Sequence, residues 1–324
     1  MIFRTMNPIR FLYNKLRYDL PIWLDNKMSF PWIRVYKHLY FTSSFKAQKE
    51  AVIRLYEIAT GHSFNIDDPQ TFNEKIQWLK LYWRNPLITQ CADKYLVRDY
   101  IAQHLDESFL PKLLGAYDNP REIDFDSLPN KFVLKVNWGS GQNVICKDKS
   151  KLDIPTAIKK LKTWLTRPHN HYYYSMEWGY KNIPPKIVCE EYLDFLDAAP
   201  RVYKVLCFNG EPKVIQLVMD DKTPSETINY YDSQWNLLPF KQNYPTNSAE
   251  IPRPKQLDQI LDIAKKLSQP FPFVRVDLYE APTRIYFSEL TFYSDAGTAL
   301  FDPPEWDKIL GDYLQLPEPF NADK

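Results

Sequence analysis

Phe273-Val274-Arg275-Val276-Asp277-Leu278-Tyr279 alternates apolar and polar side chains, and Ile285-Tyr286-Phe287-Ser288-Glu289-Leu290-Thr291-Phe292-Tyr293 follows after a short connection. A strand sends every second side chain to one face, so Arg275, Asp277 and Tyr279 share a side. With the turn centred on Thr283, Asp277 lies opposite Glu289 and Arg275 opposite Thr291. Two carboxylates facing each other across a ladder repel unless a cation lies between them or they share a proton. Two readings follow. A hard divalent ion such as Mg2+ accepts both carboxylates and a hydroxyl oxygen from Thr291; alternatively the acids face solvent or pair with lysines, as most surface charges do.

Upstream, Lys131 to Val136 reads as a strand running into Asn137-Trp138-Gly139-Ser140-Gly141-Gln142-Asn143, followed by a strand over Val144-Ile145-Cys146. Gly139 and Gly141 let the main chain approach a phosphate closely, and Lys135 supplies positive charge. The same residues also suit a plain hairpin, since neither the Walker pattern nor the dinucleotide fingerprint is present. Further strands are expected at Lys186–Leu193 and in a hairpin, Tyr203–Phe208 and Lys213–Met219, turned by Asn209-Gly210. Helices are expected from about Pro155 to Leu165 and over 254–268, where Leu257, Ile260, Leu261, Ala264 and Leu267 recur at helical spacing. In the first third, Thr71-Phe72-Asn73-Glu74 has capping-box form and opens a helix through Trp83. Pro86 stops or separates it, and a second helix is expected from about Ala92 to Leu105. Helices first and mostly antiparallel strands afterwards indicate an α+β fold.

The length of 324 residues suits one large domain or two intimate lobes. Residues 1–49 hold nine Lys/Arg against two Asp/Glu, leaving 32 against 38 for the rest, so the leader is +7 and the remainder −6. The overall +1 argues against a general nucleic-acid binder. The leader is also aromatic, with Phe3, Phe11, Trp23 and Trp32 among its residues, and two roles stand open: a basic helix packing on the enzyme or a partner, or contact with a membrane surface. No apolar run reaches the ~20 residues a spanning helix needs, and no secretory signal is legible. Cys91, Cys146, Cys189 and Cys207 lack metal-ligand spacing and read as buried thiols in a reducing, cytoplasmic setting. His169 and His171 lack a third ligand and read as a solvated loop; Trp178 and Tyr180 read as core or lobe-interface aromatics before a sugar platform.

Asp93-Lys94 opening a helix, Lys135 before the glycine loop, Glu190-Glu191-Tyr192-Leu193 and the Arg275/Asp277…Glu289/Thr291 hairpin, in that order, resemble the ATP-grasp fold. More closely, Phe72 to Leu79, Ala92 to Tyr95, Lys131 to Gly141, Cys207 to Gly210 and Glu289 to Tyr293 resemble the TupA-like ATP-grasp family of bacterial surface-polysaccharide clusters, over roughly residues 65–316. The resemblance implies two α+β subdomains clamping ATP behind a helical N-terminal region, divided as 1–49, 50–130, 131–193 and 194–324. It implies that Lys94, Lys135 and the loop with Gly139, Ser140 and Gly141 hold the phosphates. Glu190, Glu191 and Leu193 would flank adenine, with Lys204 a secondary nucleotide contact. Asp277 and Glu289 would hold magnesium, with Thr291 standing where such enzymes usually carry Asn. Arg275 would face the acyl phosphate or the carboxylate being activated. The implied activity joins an amine or amino acid to a sugar carboxylate; a glycosyltransferase is the alternative, weakly prompted by Asp220-Asp221, and a non-catalytic scaffold is a third.

Overall fold

The computed structural model describes residues 44–195, 201–221, 223–282 and 284–320. Thr283 and nearly all of the basic segment 1–49 lie outside these residues. Helix α1 (Phe45–Thr60) starts at Ser44, whose hydroxyl accepts the Ala47 N–H at 3.3 Å, and residue 49 falls inside this helix. Helix α2 (Phe72–Tyr82) carries the expected capping box: the Thr71 hydroxyl accepts from Glu74 N–H, and Glu74 Oε2 accepts from Thr71 N–H at 3.1 Å. These bonds satisfy helix amides that have no partner within the helix.

Pro86 begins a helix instead of breaking one. Asn85 caps α3 (Pro86–Ala92), where the missing proline N–H costs nothing because the first helical amides are unpaired anyway. The helix expected over about 92–105 is shortened at its start, because Ala92 closes α3. Asp93 comes next, its Oδ1 accepting the Tyr95 N–H at 2.7 Å, and α4 (Val97–His104) follows.

Two antiparallel sheets carry the rest. The first comprises β1 (Leu113–Tyr117), β2 (Phe132–Val136), β3 (Asn143–Cys146) and β4 (Ile187–Glu191) in the order β1-β4-β2-β3. Between β3 and β4 lie α5 (Ile154–Trp164) and the short α6 (Tyr172–Ser175). The second sheet contains β5 (Val202–Phe208), β6 (Glu211–Met219), β7 (Thr227–Asp232), β8 (Phe273–Glu280) and β9 (Ile285–Thr291) in the order β7-β6-β5-β8-β9. Asn209 at φ 50° and Gly210 at φ 82° make the tight β5–β6 turn, the left-handed pair that suits the strands' twist. Strand β6 ends at Met219, so Asp220 and Asp221 belong to the following turn and not to a strand.

Helix α7 (Leu257–Ser268) buries its apolar stripe, Leu257, Ile260, Ala264 and Leu267, on β5, β6 and β8. Helix α8 (Glu305–Tyr313) packs on α2: Asp307 accepts from the main chain and side chain of Asn73, and Lys75 donates to the Gly311 and Leu314 carbonyls at 2.8 Å. The Phe72 ring meets Phe208, Phe273 and Phe301 at centroid distances of 5.8, 5.0 and 6.4 Å, which fastens the N-terminal helices to the second sheet. All four cysteines are buried free thiols, and burial alone pushes Cys91 up to about 12.

Candidate functional site

The β8–β9 hairpin pairs Arg275 with Thr291 and Asp277 with Glu289, as the alternation requires. Beyond Asp277 the register slips by one residue, so Leu278 pairs with Phe287 and the bulge leaves Ser288 without an opposite number. The slip lies past the charged pairs and leaves them in line. On the other side β5 sets Lys204 opposite Asp277, so Lys204, Asp277 and Glu289 form one row across three strands.

The charge conflict between the two acids is met from within the chain. Arg275 lays its fork on Asp277, Nε to Oδ1 and Nη2 to Oδ2, both at 2.7 Å. Its Nη2 also lies 3.6 Å from Glu289 Oε1 and donates to the Thr291 hydroxyl at 3.2 Å. Burial raises the Asp277 carboxyl, against the pull of Arg275 and Lys204. Burial lowers Arg275, but Asp277, Asp295 and Glu289 outweigh it and hold the guanidinium charged.

The donor set suits a hard cation. Asp277 and Glu289 lie opposite each other on adjacent strands, and the Thr291 hydroxyl lies 3.3 Å from Glu289 Oε1, so two carboxylates and a hydroxyl oxygen sit on one stretch of the hairpin. Each ionised carboxylate has about four lone-pair positions, which leaves acceptor capacity beside the Arg275 fork.

Across the gap, the first sheet presents the opposite arrangement. Glu190, 7% exposed, takes Lys135 Nζ on Oε2 at 2.6 Å and Arg98 Nη1 on Oε1 at 2.9 Å. Arg98 Nη2 also donates to the Pro111 carbonyl at 2.9 Å, which fixes the guanidinium plane. Burial works against the Lys135 charge, and Glu190 together with Tyr279 and Glu289 more than offsets it, leaving Lys135 above its ordinary value. A cavity of about 20 Å³ lies here, lined by Lys94, Arg98, Lys135, Glu190, Phe287 and Ser288 among others, so both sheets contribute to its walls.

Lys94 joins the two clusters. Its main chain donates to the Asn137 carbonyl, while the Asn137 side chain donates to Asp93 Oδ2 and to the Pro184 carbonyl, both at 2.9 Å. So placed, Lys94 Nζ donates to the Gly139 carbonyl at 2.8 Å and stands 3.7 Å from Glu289 Oε2. The glycine loop itself is held from one neighbouring segment. Trp138 Nε1 donates to the Trp164 carbonyl at 3.1 Å, Gln142 Nε2 to the His169 carbonyl at 2.8 Å, and Ser140 N–H to His171 Nε2 at 3.0 Å. A Cβ at position 139 would sit 2.4 Å from Gln142 Oε1, so any larger residue there would have to displace the Gln142 side chain that folds beneath it.

The 169–171 segment is thus not a solvated loop. Burial lowers His169, and Asn170 is 1% exposed with its amide on the Tyr180 carbonyl. Trp178 and Tyr180 pack against the core, Trp178 under Arg84 and Tyr180 against His171, in keeping with their reading as core or interface aromatics.

After β9 the chain makes an unusual turn: Asp295, Ala296 and Gly297 have φ of 48°, 54° and 60°. Left-handed non-glycine residues cost energy and persist only where their surroundings hold them. Here α2 supplies the hold. Gln77 Nε2 donates to the Ala296 and Gly297 carbonyls at 3.0 and 2.7 Å, and Lys80 Nζ donates to the Ala296 carbonyl at 2.7 Å. The turn brings Ser294 Oγ to 3.3 Å from Arg275 Nη1.

Of the residues singled out in the sequence, Lys94, Lys135, Glu190, Arg275, Asp277, Glu289 and Thr291 converge on the gap between the sheets, with the glycine loop at its rim. Glu191 turns the other way along the strand and accepts the Lys112 N–H at 2.8 Å. Leu193 joins a small apolar cluster with Ala281 and Tyr286 at the end of the hairpin. Sequence reasoning missed Arg98, Ser294 and the grip of Gln77 and Lys80. Arg98 had a signal, being four residues beyond Lys94 in a helical stretch, but its partner Glu190 lies far along the chain.

The family model described as TupA-like ATPgrasp matches residues 74–315. Among solved structures the chain is similar to the D-alanine–D-alanine ligase of Bacillus anthracis complexed with ATP, at 16% identity over 69% of this chain and 65% of that one, with a TM-score of 0.42. It is similar also to the ATP-grasp ligase PsnB complexed with a minimal precursor, at 13% over 70% and 60%, TM-score 0.38. A third is N5-carboxyaminoimidazole synthase of Aspergillus clavatus in complex with ADP and its ribonucleotide, at 12% over 63% and 45%, TM-score 0.35. The chain therefore spans less than two thirds of the length of each. No curated protein matches it.

Proposed function

The chain belongs to the TupA-like ATP-grasp family, and from that premise we propose that it is an ATP- and magnesium-dependent ligase that joins a carboxylate to an amine. The observation that carries the reading is Lys94, which links the carbonyl of the glycine loop to Glu289 of the carboxylate hairpin, so the loop and the hairpin meet at one cation. Lys135 and Lys94 would neutralise phosphate oxygens, and the amides of Gly139, Ser140 and Gly141 would line the loop that covers them. Glu190, Glu191 and Leu193 would border the adenine, with Lys204 beside the metal row. Asp277, Glu289 and Thr291 would hold magnesium, which when bound offsets charge on the transferring phosphoryl group. Arg275 would release part of its hold on Asp277 and orient the carboxylate being activated, since its fork matches a planar anion.

Such chemistry depends on positioning and preorganised charge, so it needs no side-chain nucleophile. The family's setting supports a carboxylated sugar of a capsular or teichuronic-type polysaccharide as the acid, with an amine or amino acid as its partner, and a cytoplasmic site of action with residues 1–49 on the inner membrane surface. Among the described residues no helix is long and apolar enough to cross a membrane. The division into lobes 50–130, 131–193 and 194–324 belongs to the same proposal.

Incubation with Mg-ATP and uronic-acid plus amine mixtures should release ADP and phosphate together, and Asp277→Asn should abolish the release. Turnover of nucleotide sugars without consumption of ATP would overturn the ligase reading in favour of a glycosyltransferase. Nucleotide binding with no turnover, and unchanged polysaccharide in cells carrying Asp277→Asn, would point to a scaffold.

A further inference from the structure

His171 stands at the centre of a buried network that no part of the proposed chemistry uses. Its Nε2 accepts the Ser140 N–H at 3.0 Å, so that nitrogen carries a lone pair and the proton belongs on Nδ1. Nδ1 lies 3.3 Å from Glu177 Oε2. Glu177 is 6% exposed, and its other oxygen accepts the Ser175 hydroxyl at 2.8 Å. The Ser140 bond sets the tautomer, and the buried carboxylate 3.3 Å behind Nδ1 favours the ring orientation that directs Nε2 at the loop. Burial raises the Glu177 carboxyl, but His171, Lys80 and Ser175 together outweigh it and keep it below its usual value, hence ionised. Lys80, 2% exposed, donates from its ammonium to the Ala296 carbonyl in the left-handed turn. The same segment holds Trp138 and Gln142 by carbonyls, but only at Ser140 is a loop amide held by a side chain among the bonds of residues 138–142.

We propose that His171, oriented by Glu177, is a positioning residue that sets the glycine loop for the nucleotide phosphates. The phosphate half of the proposal rests on the ATP-binding reading; the latch on Ser140 does not. With phosphate absent, the ring occupies the Ser140 amide and keeps the loop at the rim of the gap. The loop main chain is thereby ordered before phosphate arrives, so less ordering is needed at binding.

The test uses the full chain and two readouts. In nucleotide-free protein, amide exchange at Ser140 should quicken by at least about fivefold in His171→Ala, as expected for loss of one local hydrogen bond. It should stay near wild type in His171→Gln, whose amide oxygen reaches the position of Nε2. Glu177→Gln, which keeps the size of the side chain, should also quicken it. With Mg-ATP, the KM for ATP should rise about tenfold in His171→Ala while kcat changes less than about threefold, and His171→Gln should recover most of the loss. Unchanged Ser140 exchange in either His171→Ala or Glu177→Gln would overturn the latch, whatever happens with nucleotide. Should His171→Ala fail to fold, the Glu177→Gln exchange rate decides. A wild-type protein that neither binds nor turns over Mg-ATP sinks the ligase reading alone, because the exchange result is obtained without nucleotide.

Discussion

Two charged clusters face each other across the gap between the sheets, and they are inverted copies in charge. On the four-stranded sheet one carboxylate, Glu190, lies between two cations, Lys135 and Arg98. On the five-stranded sheet one cation, Arg275, lies between two carboxylates, Asp277 and Glu289. The first cluster has positive charge to spare and suits phosphate; the second has carboxylate oxygen to spare and suits a hard metal. In each the central charge is paired on both sides, which leaves a net +1 on the first cluster and −1 on the second. Such self-pairing matters because a buried charge without a partner costs several kcal/mol. Lys94 stands between the clusters: it lines the cavity with Arg98, Lys135 and Glu190, bonds the Gly139 carbonyl and lies 3.7 Å from Glu289.

Breaking the inversion at its most buried member should have the largest effect. Arg275→Met leaves Asp277 buried without its fork and facing Glu289, and should lower the unfolding free energy by about 3–5 kcal/mol in denaturant titrations. A loss below about 1 kcal/mol would mean the two carboxylates are not held together by that guanidinium. In the opposite cluster, Glu190→Gln leaves Lys135 and Arg98 facing each other without their shared anion. The expected loss is about 2–3 kcal/mol, and a change that stabilised the protein would show the first cluster to be strained by its acid.

The support behind both clusters can be read from pH. Burial lowers Lys80 to about 8, from 10.5, with Glu177 opposing. Between those values the unfolded chain holds a proton that the folded chain has released, so stability rises with pH across that window. Relative to Lys80→Met, the wild type should gain about 1–2 kcal/mol between pH 7.5 and 10. A flat difference would place Lys80 in contact with water. The smallest effect belongs to the bridge: Lys94→Met should cost less than about 1 kcal/mol, because its ion pair with Glu289 is long and partly exposed. A larger cost would show that the bridge, not each cluster separately, holds the sheets together.

Much of this was legible along the chain because it is local. Strand alternation set the Asp277–Glu289 and Arg275–Thr291 pairs, and Asn209-Gly210 marked its turn through the backbone angles it permits. The capping box at Thr71 and Glu74 likewise needs only residues within one turn. Other features had no local signal. Pro86 read as stopping or separating a helix, and the Asn85 cap makes it the start of one. Strands β1 and β7 were not foreseen. Leu113 to Tyr117 is half-buried on every residue, without an alternation to read.

The same division holds at the candidate site. By itself the sequence determined which side chains carry charge, which glycines allow a close turn, and that two acids must face each other on one hairpin. Only the tertiary structure decided what neutralises them: Arg275 for the acids, Glu190 for Lys135 and Arg98, and Lys94 between the sheets. It also turned His171 from a solvated residue into a ligand of the glycine loop, backed by Glu177. The physical reason is range. Backbone angles and strand faces are set by neighbours a few residues away, whereas the partner of a buried charge is whichever opposite charge the fold brings within about 4 Å, and sequence distance does not limit that choice.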